Sequence, residues 1–401
     1  MNRIDQLIAE LCPEGVEYRK LGELGARNKG TAITASLMKS IHKERGAIRV
    51  FAGGQTIADV DEDSVPSKDI VRLPSIIVKS RGHIGFEFYD KPFTHKSELW
   101  SYSLSDENVV QKYVHYYLIA HTTHFQDIAK ATSVKLPQLS VRDTDNFPIP
   151  IPPLEIQREI VKILDAFTEL EAELEAELEA RKTQYAYYRD ALLNFDGRED
   201  VRWATLGEVS SFTNGKPHEN VVDESGDIAL ITSRFVSTQG RSARRVWRAD
   251  VRTPALRDDV ALVMSDLPNG KALAKAFHVD KDDAYAINQR VCVLRSLDLN
   301  ELSSRFLFYM INRNKQLLAY DSGVDQTHLK KEWIQQVQIP IPPLAEQERI
   351  VEILDKFDAL VNDLSSGLPA EIAARRKQYE HYRDRLLTFR ERGVGITQGI
   401  E

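Results

Sequence analysis

The chain has 401 residues, of which 42% are hydrophobic and 28% are charged, and its formal net charge is −7 at pH 7. This size and composition suit two or three domains with proper cores and exclude a largely disordered chain. The negative charge argues against a uniformly basic nucleic-acid-binding protein, but the acids concentrate between Asp165 and Glu179 and arginines between Arg234 and Arg252, so a separate basic surface stays possible.

In chain order, the first predicted element is a short amphipathic helix from Ile4 to Leu11. The opening residues lack the pattern of an export signal, and no apolar run could span a bilayer, so we expect a cytoplasmic protein without membrane contact. Cys12 and Cys292 are too few for a disulfide framework or a zinc site of thiolates alone, and we expect two ordinary thiols.

Short β-like runs follow between Ala47 and Leu104, separated by Gly, Pro and Asp clusters, and then comes the helical stretch VVQKYVHYYLIAH. The second half of the chain has the same kind of order: DIALITSRFV, DVALVMSD, ALAKAFHV and QRVCVLRSL precede the helical SSRFLFYMINRNKQLLAY. Both halves therefore predict compact α/β domains.

A repeated segment relates the two halves. The residues Ile-Pro-Ile-Pro-Pro-Leu at 149–154 return at 339–344, and each copy runs into a helical stretch that ends in Tyr-Arg-Asp. The offset between copies is 190 residues at Ile149 and 194 residues at Arg189, so four residues were inserted within the second helical stretch. The chain therefore has an internal pseudo-symmetry.

Each Pro-Pro pair predicts an extended approach followed by the first turn of a helix. The first helix, from about Glu155 to Phe195, would be roughly 60 Å long and would need a partner along its length. The second helical stretch contains Gly367 and Pro369 where the four residues are inserted, so it bends or restarts there or continues through.

These features resemble the DNA-specificity (S) subunits of Type I restriction-modification systems. The resemblance covers nearly the whole chain. It is carried by the opening IDQLIAELCPEGVEYRKLGEL, by IPIPPLEIQREIVKILDAF and its copy IPIPPLAEQERIVEILDKF, by the two Gln-Tyr-x-x-Tyr-Arg-Asp endings, and by the duplicated Glu-Ala-Glu-Leu tetrapeptide at 171–174 and 175–178.

The resemblance implies an α+β fold in which two α/β target-recognition domains are separated by two long antiparallel helices, with an internal pseudo-twofold repeat. It implies double-stranded DNA with a split target and two methyltransferase (M) subunits as partners, and it leaves open whether restriction (R) subunits join through them. We predict target-recognition domains at 1–150 and 197–340, long helices at 151–196 and 341–390, and a tail at 391–401.

Candidate DNA contacts in the first domain follow an apolar strand. Lys79, Arg81 and His83 lie at a predicted strand-to-turn exit, where they could reach phosphates or guanine edges, although a solvated hairpin tip explains them equally well. Weaker candidates for phosphate contacts are Lys39, His42, Lys43 and Arg45.

In the second domain an arginine series is denser than a solvated face usually is, and we predict DNA contact for Arg234, Arg241, Arg244, Arg245 and Arg248, with Phe235 and Trp247 interleaved. Just before the second Pro-Pro junction, Gln326, His328, Lys330 and Lys331 are further candidates. There a segment that merely closes the domain is the more economical interpretation, as it is for the matching segment around Leu139.

Large amphipathic side chains recur at the ends of the helical stretches: Tyr185, Tyr188, Arg189, Tyr379, Tyr382 and Arg383. Such side chains are enriched at interfaces. We favour packing between the two helices for the tyrosines, with partner subunits bound on the remaining helix surface.

No catalytic motif is expected. The Pro-Pro pairs do not follow Asn or Asp as in the catalytic turn of a methyltransferase, the Gly270-Lys271 pair lacks the other residues of a phosphate loop, and the ten histidines are scattered without metal-ligand spacing. We predict a non-enzymatic chain with no metal and no cofactor. The alternatives are a coiled-coil scaffold with two protein-binding heads and a fused modification enzyme whose catalytic region lies outside this chain; DNA binding indifferent to sequence would favour the scaffold.

Overall fold

The computed structural model describes residues 3–132, 135–267, 272–363 and 365–393. The chain divides into two compact units, the first made of Met1–Ala176 with Glu371–Glu401 and the second of Glu177–Ala370. Each unit contains both helices and strands. The predicted mixture of α and β structure in both halves is therefore confirmed.

The α-helices are α1 Arg3–Leu11, α2 Ala35–Ser40, α3 Gln111–Ala120, α4 Thr122–Thr132, α5 Val141–Asp145, α6 Leu154–Leu192, α7 Leu206–Val209, α8 Ser233–Ser237, α9 Ser304–Ile311, α10 Lys315–Leu318, α11 Lys331–Gln335, α12 Leu344–Asn362 and α13 Leu368–Leu386. Short 3-10 helices lie at Leu21–Glu23, Glu62–Ser64, Ser67–Asp69, Glu219–Val221 and Arg248–Asp250.

The β-strands of the first unit are β1 Glu17–Lys20, β2 Gly25–Lys29, β3 Ile48–Phe51, β4 Ile57–Val60, β5 Ser75–Lys79, β6 Gly85–Tyr89, β7 Phe93–His95, β8 Trp100–Leu104 and β9 Pro148–Ile151. Those of the second unit are β10 Arg202–Thr205, β11 Ser210–Asn214, β12 Ile228–Ile231, β13 Arg244–Val246, β14 Val260–Val263, β15 Ser265–Asp266, β16 Ala276–His278, β17 Tyr285–Ile287, β18 Val291–Ser296, β19 Thr327–His328 and β20 Gln338–Ile341.

The two units share one sheet topology. In the first, a four-stranded antiparallel sheet has the order β2-β8-β5-β6, and a three-stranded sheet has the order β4-β3-β7 with β3 and β7 parallel. In the second, β11-β18-β14-β16 and β13-β12-β17 repeat both orders, again with one parallel pair, β12 and β17. The repeat seen in the helical segments therefore extends to the domains, whose sequences differ.

The strongest apolar runs form the inner strands. All five residues of β5 and all four of β14 are buried, because each strand lies between two others and is covered on both faces. Helix α3 covers the sheet of the first unit, where Tyr113 and Tyr102 are fully buried, and α9 covers the sheet of the second unit, where Phe306 is fully buried. These are the strands and helices that the sequence predicted.

The second helical stretch is interrupted. Helix α12 ends at Asn362 and α13 begins at Leu368, with Pro369 in its first turn. Gly367 approaches the end of α12 so closely that an added Cβ would lie 2.4 Å from the Ala359 carbonyl oxygen, a contact that only glycine permits. Hydrogen bonds from Ser365 and Ser366 lower the pKa of the Asp363 carboxyl in this turn to about 2. The stretch therefore restarts at the four-residue insertion, whereas α6 is continuous over 39 residues.

A half-buried histidine on α3 makes stability depend on pH. Burial lowers the pKa of His115 to about 4, and its Nδ1 has no hydrogen-bond partner among the described residues. The unfolded chain binds this proton below about pH 6.5 while the folded chain stays neutral, so the free energy of unfolding should fall by about 2.5 kcal/mol as the pH drops from about 6.5 to 4.

We expect His115→Phe to remove this part of the acid sensitivity. Urea denaturation gives the free energy of unfolding of the variant and of the parent at pH 7 and at pH 4.5. The difference between the two proteins should change between these pH values in favour of the variant at pH 4.5. Other histidines whose pKa is lowered by burial, such as His95, are common to both proteins and cancel. An unchanged difference at the two pH values would contradict the assignment.

Candidate nucleic-acid interface and its helical junctions

A proline-rich strand ends each domain. β9 pairs antiparallel with β1, and β20 pairs antiparallel with β10 in the same register. Proline has no amide hydrogen and fits only where one side of a strand needs no partner, so these sheets have two strands each. The Pro-Pro pair that follows directs the chain into α6 or α12, as the sequence predicted.

A buried glutamine joins the first domain to α6. The side chain of Gln157 is fully buried. Its Oε1 accepts the Val110 backbone N–H at 2.8 Å, and its Nε2 donates to the carbonyls of Asn108 at 2.8 Å and Pro152 at 2.7 Å. One side chain thus satisfies three backbone groups at the point where α3, the proline-rich segment and α6 meet.

Gln347 repeats this arrangement in the second unit, and it is equally buried. Its Oε1 accepts the Ser303 N–H at 2.9 Å, and its Nε2 donates to the carbonyls of Glu301 at 2.7 Å and Pro342 at 2.9 Å. The two domains are therefore held on their helices by equivalent hydrogen bonds.

An aspartate two turns further along each helix adds a charged contact. Asp165 accepts a hydrogen bond from the Tyr116 hydroxyl at 2.5 Å and pairs with the Lys112 ammonium at 2.7 Å. Burial, with the hydrogen bond to Asp165, raises the pKa of Tyr116. The counterpart in the second unit has the same two kinds of partner, Tyr309 and Arg305 on Asp355.

The tyrosines at the helix ends stack on a phenylalanine of a facing helix. In the first unit Tyr382 of α13 stacks on Phe167 of α6, with ring centroids 5.7 Å apart. Arg376 of α13 contacts Glu171 and Glu175 of α6. Residue numbers along α13 therefore decrease from one contact to the next as those along α6 increase, so this helix pair is antiparallel.

In the second unit Tyr185 and Tyr188 of α6 stack on Phe357 of α12, with centroids 6.2 and 5.6 Å apart. The arginines beside the tyrosines pair with their neighbours: Arg189 binds Asp190, and Arg383 binds Asp384. The guanidinium of Arg383 also lies 5.8 Å from the ring centre of Tyr379, which itself contacts Phe167.

In the first domain the predicted hairpin meets the segment that closes the domain. Residues 80–84 connect β5 to β6, and Gly82 has the positive φ of +75° that such a turn needs. Its N–H donates to the Pro137 carbonyl, and the Leu139 N–H donates to the Ser80 carbonyl, both at 2.9 Å. Arg81 and His83 are exposed at this tip, beside residues 137–139.

Lys79 does not share this exposure, which corrects its place among the predicted DNA contacts. Its side chain is only 9% exposed, and its ammonium donates to the Gly54 carbonyl at 2.7 Å and pairs with Glu87 at 2.8 Å. An apolar strand carries the residue inward, so Lys79 holds the hairpin against the β3–β4 turn.

Lys39, Lys43 and Arg45 are exposed but lie on a different segment, Lys39 in the last turn of α2 and the other two between α2 and β3. The Lys43 N–H donates to the Asp59 carbonyl of β4 at 2.8 Å, which places this segment on the three-stranded sheet. In the described part of the chain no carboxylate lies within ion-pair distance of these three cations. They remain predictions for phosphate contact.

In the second domain a cleft lies at the corresponding strand exit. β15, just beyond β14, pairs with β19, and the amide of Gln326 donates to the Ser265 hydroxyl at 3.0 Å. The cleft has a volume of about 520 Å³ and is lined by Ser265, Gln289, Arg290, Gln326 and His328. Hydroxyl, amide, guanidinium and imidazole groups are the donors and acceptors that recognise base edges.

Gln289 and Arg290 are not among the residues predicted from the sequence, because they lie outside the cluster of arginines at 234–252. Both are exposed and lie in the turn between β17 and β18, and the Arg290 carbonyl accepts the Met264 N–H at 2.9 Å, which fixes this turn beside the exit of β14. Among the described residues no carboxylate pairs with the Arg290 guanidinium. The sequence feature that could have identified them is a pair of polar residues after a predicted strand, the same feature from which Arg81 was predicted.

The arginines for which DNA contact is predicted divide into two groups by the partners of their side chains. Arg245 donates to the carbonyls of Gly226 and Asp227, and Arg248 pairs with Asp283, so both hold their own domain together. The interleaved Phe235 is buried in the core. Arg248 is exposed although it is paired, whereas the exposed Arg234, Arg241 and Arg244 pair with no carboxylate within the described ranges.

The segment before the second junction closes its domain. Leu329 is fully buried, and its N–H donates to the Met264 carbonyl at 2.7 Å, as Leu139 donates to Ser80 in the first domain. The neighbouring Lys330 and Lys331 are exposed and lie over the rings of Trp333 and Phe212. The Gly270-Lys271 pair lies outside the described residues.

A family model described as the Type I restriction modification DNA specificity domain matches residues 13–180 and again 200–374. The chain belongs to this family. The specificity subunit of the Escherichia coli Type I restriction enzyme EcoR124I/EcoR124II is 35% identical over 306 residues, which cover 72% of this chain and 73% of that protein. A Haemophilus influenzae protein named as a type I specificity subunit is 34% identical over 283 residues, or 65% of this chain and 66% of that one.

The fold has a solved counterpart in the Type I system S subunit from M. genitalium, with a TM-score of 0.61, 16% identity, and coverage of 93% of this chain and 96% of that one. The chain is thus a specificity subunit, whose role is the recognition of a DNA target, and it is a non-catalytic component. Within residues 3–393, gaps excepted, no helix has the length and apolar character needed to cross a membrane.

Proposed function

We propose that this S subunit recognises a split DNA target, one half through each domain, and directs methyltransferase subunits to it. The observation that carries the proposal is that equivalent junctions, centred on Gln157 and Gln347, hold domains with different exposed side chains. The first domain offers Arg81 and His83, and the second offers the cleft around Arg290. Two unlike recognition surfaces suit two different half-sites with an unrecognised spacer between them.

The side chains of the cleft in the second domain indicate which bases its half-site contains. Arginine pairs best with guanine, and glutamine with adenine, through two hydrogen bonds in the major groove. Arg290, Gln289 and Gln326 therefore favour a half-site that contains both purines. The exposed Arg234, Arg241 and Arg244 supply phosphate contacts, which position the domain without selecting sequence.

Methylation mapping tests this function. The chain is co-expressed with the methyltransferase encoded beside it, and N6-methyladenine is mapped across the host genome. A motif with two defined halves and an undefined spacer of constant length supports the proposal. Binding to duplex DNA that is indifferent to sequence, with no methylated motif, would favour a scaffold instead.

The length of α6 should affect the spacer. We propose that deletion of the tetrapeptide Glu171–Leu174, which shortens the helix by roughly 6 Å, shortens the preferred spacer by one or two base pairs of about 3.4 Å each without altering either half-site. Methylation mapping of the deletion variant gives both the halves and the spacer. A spacer of unchanged length would count against a role for α6 in spacing.

A further inference from the structure

Within the first unit, one arginine of α13 binds two glutamates of α6. Arg376 donates from Nε to Glu171 at 2.5 Å and from Nη2 to Glu175, so its planar guanidinium spans one helical turn. Glu171 and Glu175 are the first residues of the two Glu-Ala-Glu-Leu tetrapeptides. The contact therefore falls on the part of the helix in which the tetrapeptide is duplicated.

The sequence around this contact has a four-residue period. Glu179 follows Glu175 as Glu175 follows Glu171. Deletion of Glu171–Leu174 would bring Glu175 and Glu179 to the positions that Glu171 and Glu175 now hold. Phe167, which stacks on Tyr382, precedes the deletion and keeps its place. Both contacts of α13 with α6 are therefore compatible with the longer and the shorter helix.

The period of the glutamates is not required by helix packing. Leu170, Leu174 and Leu178 already repeat every four residues and supply the apolar face. The two ion pairs are largely exposed, with half of the Arg376 side chain accessible, and exposed pairs add little to stability. Their geometry, one cation held between two anions a turn apart, instead favours one alignment of the two helices over alignments shifted by one, two or three residues.

We propose that Arg376 is a positioning residue that fixes the register of α6 on α13, and that the leading glutamate of each tetrapeptide preserves this register when the number of tetrapeptides changes. A change in the length of α6 then displaces only the residues that follow the repeat, while those before it keep their contacts with α13. Arg376 thereby increases the preference for one spacer length in the split target. This inference rests on the proposed function.

Spacer preference tests the inference, because a merely structural role would not change it. Methylation is mapped for the full chain with its methyltransferase, in the parent and in Arg376→Gln. We expect the ratio of methylation at the preferred spacer to that at spacers one base pair longer or shorter to fall about fivefold in the variant, with both half-sites unchanged, since two exposed ion pairs are lost.

A charge exchange provides the decisive comparison. The triple variant Glu171→Arg, Glu175→Arg and Arg376→Glu should recover the parental ratio, whereas Arg376→Glu alone should not. The matched control Glu169→Gln with Glu173→Gln removes two charges from exposed positions of the same helix that Arg376 does not contact, and should leave the ratio unchanged.

The deletion background provides the last arm. In the chain without Glu171–Leu174, Glu179→Gln should lower the ratio of methylation at the preferred spacer to that at neighbouring spacers. In the full chain the same substitution should leave this ratio unchanged. Equal spacer ratios in the parent and Arg376→Gln would overturn the role of Arg376. If the parent itself methylates no split motif, the proposed function fails, which is a separate result.

Discussion

Replacing Gln347 by leucine should lower the free energy of unfolding of the second unit by about 3–5 kcal/mol, because three backbone groups that are partly or fully buried lose the hydrogen bond of this side chain, and each unsatisfied group costs roughly 1–3 kcal/mol. The groups are the Ser303 N–H and the carbonyls of Glu301 and Pro342. Leucine has a similar volume, so the loss comes from hydrogen bonding and not from a cavity.

Urea denaturation followed by tryptophan fluorescence measures this effect, since Trp203, Trp247 and Trp333 belong to the second unit. The matched control is Gln336→Leu, at an exposed position of the same unit, which should change stability by less than about 0.5 kcal/mol. Equal stability of the Gln347 and Gln336 variants would show that the buried glutamine does not hold the junction.

Gln157→Leu in the first unit should have an effect of the same size, because its hydrogen bonds are equivalent. The comparison matters for function as well as for stability. A domain loosened on its helix should lose recognition of its own half-site first, so each glutamine variant should weaken one half of the methylated motif more than the other.

Arg290→Ala should weaken recognition of the second half-site about 10- to 100-fold, the effect of roughly 1–3 kcal/mol expected for one lost arginine–guanine contact. The guanidinium is exposed in the cleft with Gln289, Gln326, Ser265 and His328, and its turn is fixed by the hydrogen bond to Met264. The first half-site should be unaffected. Methylation mapping would show relaxed sequence at one position of one half.

A charge-matched control separates base recognition from phosphate contact. Arg257 is exposed on the same domain but precedes β14, whereas the cleft follows the other end of that strand. Arg257→Ala should leave the motif intact. Arg244→Ala should weaken binding equally for all sequences and reduce its salt dependence, as expected for a phosphate contact. If Arg290→Ala also weakens all sequences equally, Arg290 does not recognise a base.

The repeated segments made much of the fold predictable. The Ile-Pro-Ile-Pro-Pro-Leu copies located both strand-to-helix junctions, because proline excludes most other conformations, and apolar runs such as SIIVK located the inner strands. The restart of the helix near Gly367 was visible in the glycine and proline but could not be decided, since such residues also occur in bent helices.

The candidate contacts were less predictable, because charge in a sequence does not tell where a side chain is directed. Lys79 and Arg81 are two residues apart, yet one is buried against Glu87 and the other is exposed at the turn. Arg245 and Arg248 belong to the densest arginine run in the second domain but bind carbonyls and carboxylates of that domain. Arg290 stands outside the run and lies in the cleft.

The sequence by itself determined the duplication, the α/β character of both halves, the long helices and the family, since each depends on local periodicity or on segments repeated along the chain. Only the tertiary structure decided which polar side chains remain accessible. Residues 80–82 meet 137–139, and Ser265 meets Gln326, through contacts between segments more than fifty residues apart. No local pattern encodes such contacts, because they depend on how the sheets and closing segments pack.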